Sequence, residues 1–163
     1  MKVLVISDTH GAVRRLREIF AREQHYACCI FLGDGERDLA PYFPRPGVTL
    51  LAVRGNNDRP SSLPLILTAE VGGKKLFLTH GKGLHCKRDL SELCEIAHYA
   101  KADIALFGHT HLPLQAHDNG MLIFNPGSVY GPRNNRDSAR RVGDYAVLEI
   151  TPLGVTWTPK QVE

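Results

Sequence analysis

The chain has 163 residues, with 20 basic and 17 acidic side chains and a formal net charge of +3 at pH 7. Its hydrophobic content of 43% and charged content of 23% are typical of a soluble globular protein and exclude a disordered, collagen-like or disulfide-scaffold chain. This length predicts that residues 1–163 form a single domain.

The first third of the chain alternates short apolar runs with polar or glycine-rich turns. The apolar runs predict strands at residues 2–7, 29–32 and 48–53. Between the first two strands, a helix is predicted with Leu16, Ile19 and Phe20 on one face and arginines on the other. Each strand ends in polar residues, and this is the edge where ligands bind in open α/β sheets.

The pattern changes in the middle of the chain. Two runs that flank Gly72-Gly73 predict an antiparallel hairpin, at residues 65–71 and 75–79. A helix at 89–101 and a buried strand at 104–107 follow, and short strands are predicted at 114–116, 121–124, 144–150 and 155–158. Parallel units followed by antiparallel strands predict an α/β fold, with two sheets packed face to face and helices outside.

Side chains that can bind metal ions follow five of the predicted strands, at the point where each strand ends. They are Asp8 and His10, Asp34, Asn56, His80, and His109 and His111. The first members of these groups are 26, 22, 24 and 29 residues apart, about one strand plus its return connection. We therefore expect all five turns at one edge of a sheet. Each i, i+2 pair is expected to converge, because alternate side chains of extended backbone point to the same side.

The seven side chains comprise two carboxylates, one amide oxygen and four imidazoles. One four-coordinate ion does not need seven ligands, whereas two ions that share a carboxylate would use them all. This donor set, without a thiolate, suits Mn²⁺, Ni²⁺, Fe²⁺, Zn²⁺ or Co²⁺, and we take Mn²⁺ as the first candidate. Two ions about 3.5–4 Å apart clamp an in-line displacement and generate hydroxide near neutral pH.

These motifs, taken in order, resemble the calcineurin-like metallophosphoesterase series, and the small single-domain phosphodiesterases of bacteria and archaea in particular. The matching segments are Asp8-x-His10, Gly33-Asp34, Gly55-Asn56, His80 and Gly108-His109-Thr110-His111, followed by Asn125-Pro126-Gly127-Ser128. The resemblance extends to about residue 133. It implies a four-layer α-β-β-α sandwich that carries a dinuclear metal site.

The resemblance also implies a role for each residue. Asp8, His10 and His111 would hold the first ion, Asn56, His80 and His109 would hold the second, and Asp34 would bridge the two. A hydroxide shared between the ions would attack the phosphate ester without a covalent enzyme intermediate. Asp34, Asn56 and His109 are the residues we expect to take part most directly in catalysis.

One position departs from the superfamily motif. The fuller motif reads Gly-Asn-His-Asp/Glu, and its histidine is thought to protonate the leaving oxygen. Here Asn57 occupies that position, and an amide cannot act as a general acid. General acid catalysis typically contributes about 10²–10⁴-fold, so the resemblance implies a preference for good leaving groups. His85 or a metal-bound water is a candidate substitute.

The leading hypothesis is a metal-dependent phosphodiesterase that acts on a small phosphate ester in the cytoplasm. A phosphomonoesterase with the same site is an alternative, and a non-catalytic scaffold is another, because a retromer subunit shares this fold. A nucleic-acid substrate is not expected, given the small basic excess and 7% aromatic residues. No apolar run approaches the ~18–20 residues of a membrane helix, so no membrane contact is expected. Homo-oligomerisation is left open.

Some residues are expected to stand outside this constellation. His25, His98 and His117 are predicted at the surface, and Cys28 and Cys29 in a buried strand as reduced thiols. Asp38 and Asp58 either orient ligands or serve as exposed or capping residues. Residues 82–86 are predicted to form a flexible rim. The four arginines Arg133, Arg136, Arg140 and Arg141 either reach the site or lie in a mobile surface loop.

Overall fold

The structure is a computed structural model that describes residues 1–131 and 142–163. In chain order its elements are β1 (Lys2–Ile6), α1 (Val13–Arg22), β2 (Cys28–Phe31), a short 3-10 helix (Glu36–Leu39), β3 (Thr49–Ala52), β4 (Ile66–Val71), β5 (Lys74–Thr79), α2 (Ser91–Tyr99), β6 (Ile104–Phe107), β7 (Pro113–Asp118), β8 (Met121–Pro126), β9 (Gly143–Thr151) and β10 (Gly154–Val162). The arginine-rich segment 133–141 lies outside the described residues.

Ten strands form two five-stranded sheets within the described part of the chain. The first sheet has the order β10-β9-β1-β2-β3, and the second has the order β4-β5-β6-β8-β7. Strands β1, β2 and β3 are parallel, as are β5, β6 and β8. The hairpin β4–β5 closes at Gly72-Gly73, where Val71 pairs with Lys74, and this confirms the predicted two-residue turn.

Side chains of the central strands point alternately to the two faces of each sheet, and this explains how the layers are held together. In β1, Val3 and Val5 pack into a core that also contains Leu76 and Leu106 of the second sheet. Leu4 and the other face of β1 instead pack against α1. The outer face of the second sheet packs in the same way against α2. The layers therefore run helix, sheet, sheet, helix, and the predicted α-β-β-α sandwich is confirmed.

The expectation that all five turns share one edge of one sheet is wrong. Strands β1, β2 and β3 belong to the first sheet, whereas β5 and β6 belong to the second. The chain changes sheets after β3, because the hairpin β4–β5 supplies a new edge strand rather than a fourth parallel strand. The turns nevertheless meet, since His109 at the end of β6 donates its backbone N–H to the Asp8 carboxylate at 2.9 Å.

Several element limits also differ from the predicted ones. Helix α2 begins at Ser91 rather than at residue 89, because the Asp89 carboxylate accepts the Ser91 backbone N–H outside the helix. Strand β10 extends to Val162, well beyond the predicted residue 158. The second half of β10 is polar and has no apolar pattern that would indicate a strand. It is a strand because it pairs with β9 in antiparallel orientation.

No helix of the described residues is long and apolar enough to span a membrane. All four cysteines are free, and Cys28, Cys29 and Cys86 are buried. Burial raises the pKa of the Cys28 thiol to about 11 and that of Cys86 to about 12, so both stay protonated near neutral pH. The prediction that Cys28 and Cys29 lie in a buried strand is confirmed.

Glu23, just after α1, joins the helix layer to the first sheet. Its buried carboxylate accepts hydrogen bonds from Lys2, Lys160 and the Tyr145 hydroxyl. Burial works to raise the pKa of Glu23, but the contacts with Lys160 and Lys2 lower it overall. The charged form is therefore the one that stabilises the fold.

Replacing Glu23 by Gln is expected to lower the free energy of unfolding by about 1–3 kcal/mol near pH 7. Because the folded-state pKa is depressed, this contribution is present above the unfolded pKa of about 4.3 and is lost as the pH falls through the folded pKa. Urea unfolding at pH 7 and in acid measures the difference. Glu18→Gln, at a half-exposed helix position paired with Arg22, should change stability by no more than about 0.5 kcal/mol. A Glu23→Gln effect that is constant with pH would contradict this account.

Candidate metal centre

Asp8 lies at the centre of the site, in the turn after β1, and its side chain has no solvent exposure. Its Oδ2 accepts hydrogen bonds from the Ser7 hydroxyl at 2.5 Å and from the His109 backbone N–H at 2.9 Å. Its Oδ1 has no hydrogen-bond partner among the described residues. This oxygen lies 3.0 Å from His111 Nε2, on the side where the other candidate ligands converge.

One group of candidate ligands consists of Asp8, His10 and His111. His10 Nε2 lies 3.6 Å from Asp8 Oδ1 and 3.3 Å from His111 Nε2. His111 Nδ1 lies 3.1 Å from the Gly131 carbonyl oxygen, to which it can only donate. That bond places the proton on Nδ1 and leaves Nε2 with a free lone pair facing Asp8.

The second group lies around His80, at the end of β5. His80 Nε2 is 3.1 Å from Asn56 Oδ1 and 3.5 Å from Asp34 Oδ2. Its Nδ1 donates to the Leu32 carbonyl at 2.7 Å, so Nε2 again carries the lone pair. Asp34 Oδ2 is also 3.7 Å from His10 Nε2, and it therefore lies between the two groups.

His109 lies beside His80 of the second group. Its ring centroid is 5.0 Å from that of His80. Asp8 and His10 do converge, as expected, because both belong to one group of candidate ligands; the convergence of His109 with His111 stays a prediction. The extended backbone that we expected for these pairs is absent, because all four residues have positive φ angles.

The electrostatics of the site favour charged carboxylates and a neutral His109. Burial works to raise the pKa of Asp8, but the neighbouring His10, His111 and His80 side chains hold it well below its usual range. Burial and the nearby His80 lower the pKa of His109 to about 4, so its ring is neutral at pH 7. Burial opposes protonation of His80, yet Asp34 and Asp8 raise its pKa overall.

This arrangement fits divalent metal ions. Ligand atoms of Asp8, His10 and His111 all lie within 4.8 Å of one another, and so do those of Asp8, Asp34 and His80. A buried carboxylate oxygen with no hydrogen-bond donor is costly unless a cation neutralises it. Imidazole nitrogens with carboxylate oxygens are a donor set for Mn²⁺, Fe²⁺ or Zn²⁺.

Five of the seven candidate residues have left-handed backbone conformations. The φ angles are +52° at Asp8, +42° at His10, +62° at Asp34, +65° at His109 and +62° at His111. Such a conformation costs a non-glycine residue about 1–2 kcal/mol, and strain of this kind concentrates at functional sites. The backbone therefore gives up stability to aim these side chains at one point.

In the metal-free protein, His10→Gly is expected to be more stable than His10→Ala by about 1 kcal/mol, because glycine adopts positive φ without strain. At Asn56, whose φ is not positive, the order should reverse, and Ala should be more stable than Gly by about 0.5–1 kcal/mol. Urea unfolding of the four variants gives both differences. The same order at both positions would contradict the strain assigned to His10.

The profile of the calcineurin-like phosphoesterase superfamily domain matches residues 1–151 of the chain. The chain belongs to this superfamily. It is 33% identical to the probable metallophosphoesterase YsnB of Bacillus subtilis, over 92% of this chain and 85% of that protein. It is 30% identical to the phosphodiesterase YfcE of Escherichia coli, over 94% of this chain and 92% of that protein.

The same fold occurs in wild-type Vps29 of Entamoeba histolytica, solved as a complex with Zn²⁺. Its TM-score to this chain is 0.75, with 22% identity and coverage of 99% of this chain and 98% of that one. At this identity the likeness concerns the fold alone.

In this superfamily member, two further carboxylates hold the ligand-bearing turns. Asp58 accepts backbone N–H groups of Asp34 and Gly35 at 2.7 Å, and of Glu36 and Gly55 at 2.9 Å. Asp38 accepts the Thr9 hydroxyl at 2.5 Å and the Gly11 N–H at 2.8 Å. Of the alternatives left open by the sequence, orientation of the ligand turns is the one that both residues fulfil.

Three hydrogen bonds at the site, made by two residues, were missed by the sequence reasoning. Asn57 donates its backbone N–H to Asp34 Oδ1 at 2.7 Å and its side-chain amide to Asp34 Oδ2 at 2.6 Å. Ser128 donates its hydroxyl to the Asp8 carbonyl at 2.9 Å. The sequence motif marks Asn57 only as the replacement of an acid. Its separation of one residue from Asn56 was the available signal that it lies beside the site.

The segment after β8 that completes the superfamily pattern supports the turn after β6. Asn125 donates its side-chain amide to the Gly108 carbonyl at 2.9 Å. Gly108 itself has no room for a side chain, since a Cβ there would lie 2.1 Å from Ser7 Oγ and 2.9 Å from Asp8 Oδ2. The two sheets are thus in close contact at Gly108, next to the Asp8 carboxylate.

Other predicted residues lie away from the centre. His25 and His117 are exposed, as predicted, whereas His98 is half-buried and its Nε2 lies 2.9 Å from Asp118 Oδ2. In the rim at residues 82–86, Leu84 and Cys86 are buried in the core beside α2. His85, named as a substitute acid, is exposed and lies 2.9 Å from Glu92.

Proposed function

We propose that the chain is a metal-dependent phosphodiesterase that hydrolyses a small phosphate ester. The observation that carries the proposal is the convergence of the Asp8 and Asp34 carboxylates with three imidazoles around a buried Asp8 oxygen that lacks a donor among the described residues. Membership of the superfamily and the similarity to a protein named as a phosphodiesterase support it.

In this proposal, Asp8, His10 and His111 hold one divalent ion, and Asn56, His80 and His109 hold a second, with Asp34 shared between them. When bound, the ions supply Lewis acidity toward the phosphoryl oxygens and a hydroxide nucleophile near neutral pH. Mn²⁺ remains the first candidate.

The residues of the chain orient and neutralise this site. The Leu32 and Gly131 carbonyls fix the tautomers of His80 and His111, and the two Asn57 donors fix the Asp34 carboxylate. His109 keeps a neutral ring at pH 7 because its pKa is low. Asn57 binds Asp34 and supplies no proton, so the leaving group must depart without help from that position.

The test is hydrolysis of bis-p-nitrophenyl phosphate beside p-nitrophenyl phosphate, by metal-stripped protein and after addition of Mn²⁺, Ni²⁺ or Zn²⁺. Diester turnover that requires metal and is lost in His109→Ala supports the proposal. His117→Ala, an exposed histidine on β7, is the matched control and should retain full activity. Preferential turnover of the monoester would favour a phosphomonoesterase instead.

A scaffold function is the second candidate. Large apolar side chains at Leu112 and Tyr130 are exposed beside His111 and His10, and the Tyr130 ring centroid is 5.9 Å from that of His10. A protein-binding surface would use such side chains. Absence of turnover of both esters by folded protein with two ions bound would favour this function.

The proposal also includes a cytoplasmic location, which the four free cysteines support.

Because no general acid occupies position 57, rates should fall steeply with the basicity of the leaving alcohol. We expect p-nitrophenyl esters to react about 10²–10⁴-fold faster than ethyl esters under saturating metal, beyond their intrinsic difference. Initial rates over a series of 4-nitrophenol, phenol and ethanol diesters measure this dependence. In Asn57→His the ratio should narrow, because an imidazole can donate a proton. Equal rates across the series in the wild-type protein would contradict the account.

A further inference from the structure

A cleft of about 360 Å³ opens beside the candidate metal centre, and Asn56 and His80 are among the residues that line it. These two residues belong to the second group of candidate ligands, so the cleft is continuous with the site. Its apolar wall consists of Leu65, just before β4, Ile66, the first residue of β4, and Leu84 of the rim. We call this feature the apolar cleft.

The wall of the apolar cleft exposes apolar side chains that do not contribute to the core between the sheets. Leu65 is 59% exposed and Ile66 is 40% exposed, whereas Leu67, the next residue of β4, packs into the core between the sheets. Leu84 is buried and also lines the cleft. Adjacent apolar side chains that line a concavity next to polar groups are typical of a ligand site.

Three cations accompany this apolar wall. Arg54, Arg59 and Lys82 all line the cleft, and no carboxylate within residues 1–131 and 142–163 forms an ion pair with them. Unpaired cations attract an anionic ligand. The occupant is therefore an anion that also carries an apolar group. A neutral apolar molecule would not neutralise the three positive charges.

A second cleft, of about 250 Å³, lies on the other side of Arg59. It is lined by polar groups that include Asn57, Asp58 and the Gly11 backbone. A phosphodiester has two ester groups, and the two clefts offer them different surroundings, one apolar and one polar. Arg59 lines both clefts.

We propose that the apolar cleft binds an aromatic ester group of the substrate, with the phosphate beside Asn56 and His80. This inference rests on the proposed function and adds the substrate class, a diester with at least one aromatic arm. Aromatic alcohols are also the leaving groups that need no proton from position 57. A cleft of this volume accommodates a ring system, whereas a methyl or ethyl group would leave most of the Leu65 and Ile66 surface exposed to water.

The test measures binding of two anions that contain no ester bond and so cannot be hydrolysed. Calorimetric titration of the Mn²⁺-loaded protein compares diphenylphosphinate with dimethylphosphinate. We expect diphenylphosphinate to bind about tenfold more tightly, because a phenyl ring buries apolar surface against the cleft. The double variant Leu65→Ser/Ile66→Ser should lose most of this preference and keep its affinity for dimethylphosphinate.

Leu153→Ser is the matched control, because Leu153 is fully exposed between β9 and β10 and does not line the cleft. Equal affinities for the two anions, or a preference that survives the double variant, would overturn the inference. Failure of the proposed function looks different, since diphenylphosphinate would then bind in the cleft while no ester is hydrolysed. Hydrolysis without a preference for the phenyl compound would support the proposed function but would contradict an aromatic ester group in the substrate.

Discussion

Replacing Asp34 by Asn is expected to lower metal-dependent diester hydrolysis by a factor on the order of 10³. Asp34 Oδ2 lies 3.5 Å from His80 Nε2 and 3.7 Å from His10 Nε2, between the two groups of candidate ligands. Asparagine keeps the size of the side chain and removes its negative charge. The substitution therefore tests the shared carboxylate with little disturbance of packing.

The measurement is kcat/KM for bis-p-nitrophenyl phosphate, together with the number of bound Mn²⁺ ions per chain. Asp38→Asn is the matched control, since Asp38 holds the neighbouring turn through Thr9 and Gly11. We expect that control to lose about 10–100-fold in activity, the range of outer-shell substitutions, and so clearly less than Asp34→Asn. If Asp34→Asn kept more than a tenth of the wild-type activity, the shared role of Asp34 would be wrong.

Replacing Asp58 by Ala is expected to lower the free energy of unfolding by about 3–5 kcal/mol. The carboxylate accepts four backbone N–H groups, from Asp34, Gly35, Glu36 and Gly55. Alanine leaves these donors without an acceptor in a turn where Asp58 is almost completely buried. Activity should fall as well, because the Gly33–Gly35 turn positions Asp34.

Urea unfolding of metal-free protein measures this effect without a contribution from bound ions. Asp58→Asn retains one acceptor oxygen and should give an intermediate loss. Asp103→Ala is the control, because that carboxylate accepts a single exposed N–H, from Lys75, and should cost no more than about 1 kcal/mol. A loss of less than about 1 kcal/mol in Asp58→Ala would show that other groups hold the turn.

The sequence was sufficient to predict the strands that carry the site. The runs before Asp8, Asp34 and His109 are short and apolar, and each ends in glycine or polar residues. The linear sequence therefore indicates both the strand and the point where it ends. The hairpin at Gly72-Gly73 was predictable for the same reason. Polar termination of a buried strand is a local signal, and it does not depend on which sheet the strand joins.

The distribution of the turns over two sheets could not be predicted in this way. Whether the hairpin β4–β5 adds to the first sheet or begins a second depends on packing between distant strands. The positive φ angles of His10 and His111 could not be predicted for a similar reason, since only a small fraction of non-glycine residues adopts that conformation and the residue type alone does not show where. At His10, the contacts of Asp38 with Thr9 and Gly11 hold the turn in place, and such contacts between distant residues are not visible in the sequence.

The most direct test of the central claim is a titration of metal-stripped protein with Mn²⁺, in which bound ions per chain and diester turnover are followed in the same samples. The account predicts two ions per chain at saturation and turnover that rises as the second ion binds. Turnover that is complete with a single ion, or that persists in the stripped protein, would contradict the dinuclear site proposed around Asp8 and Asp34.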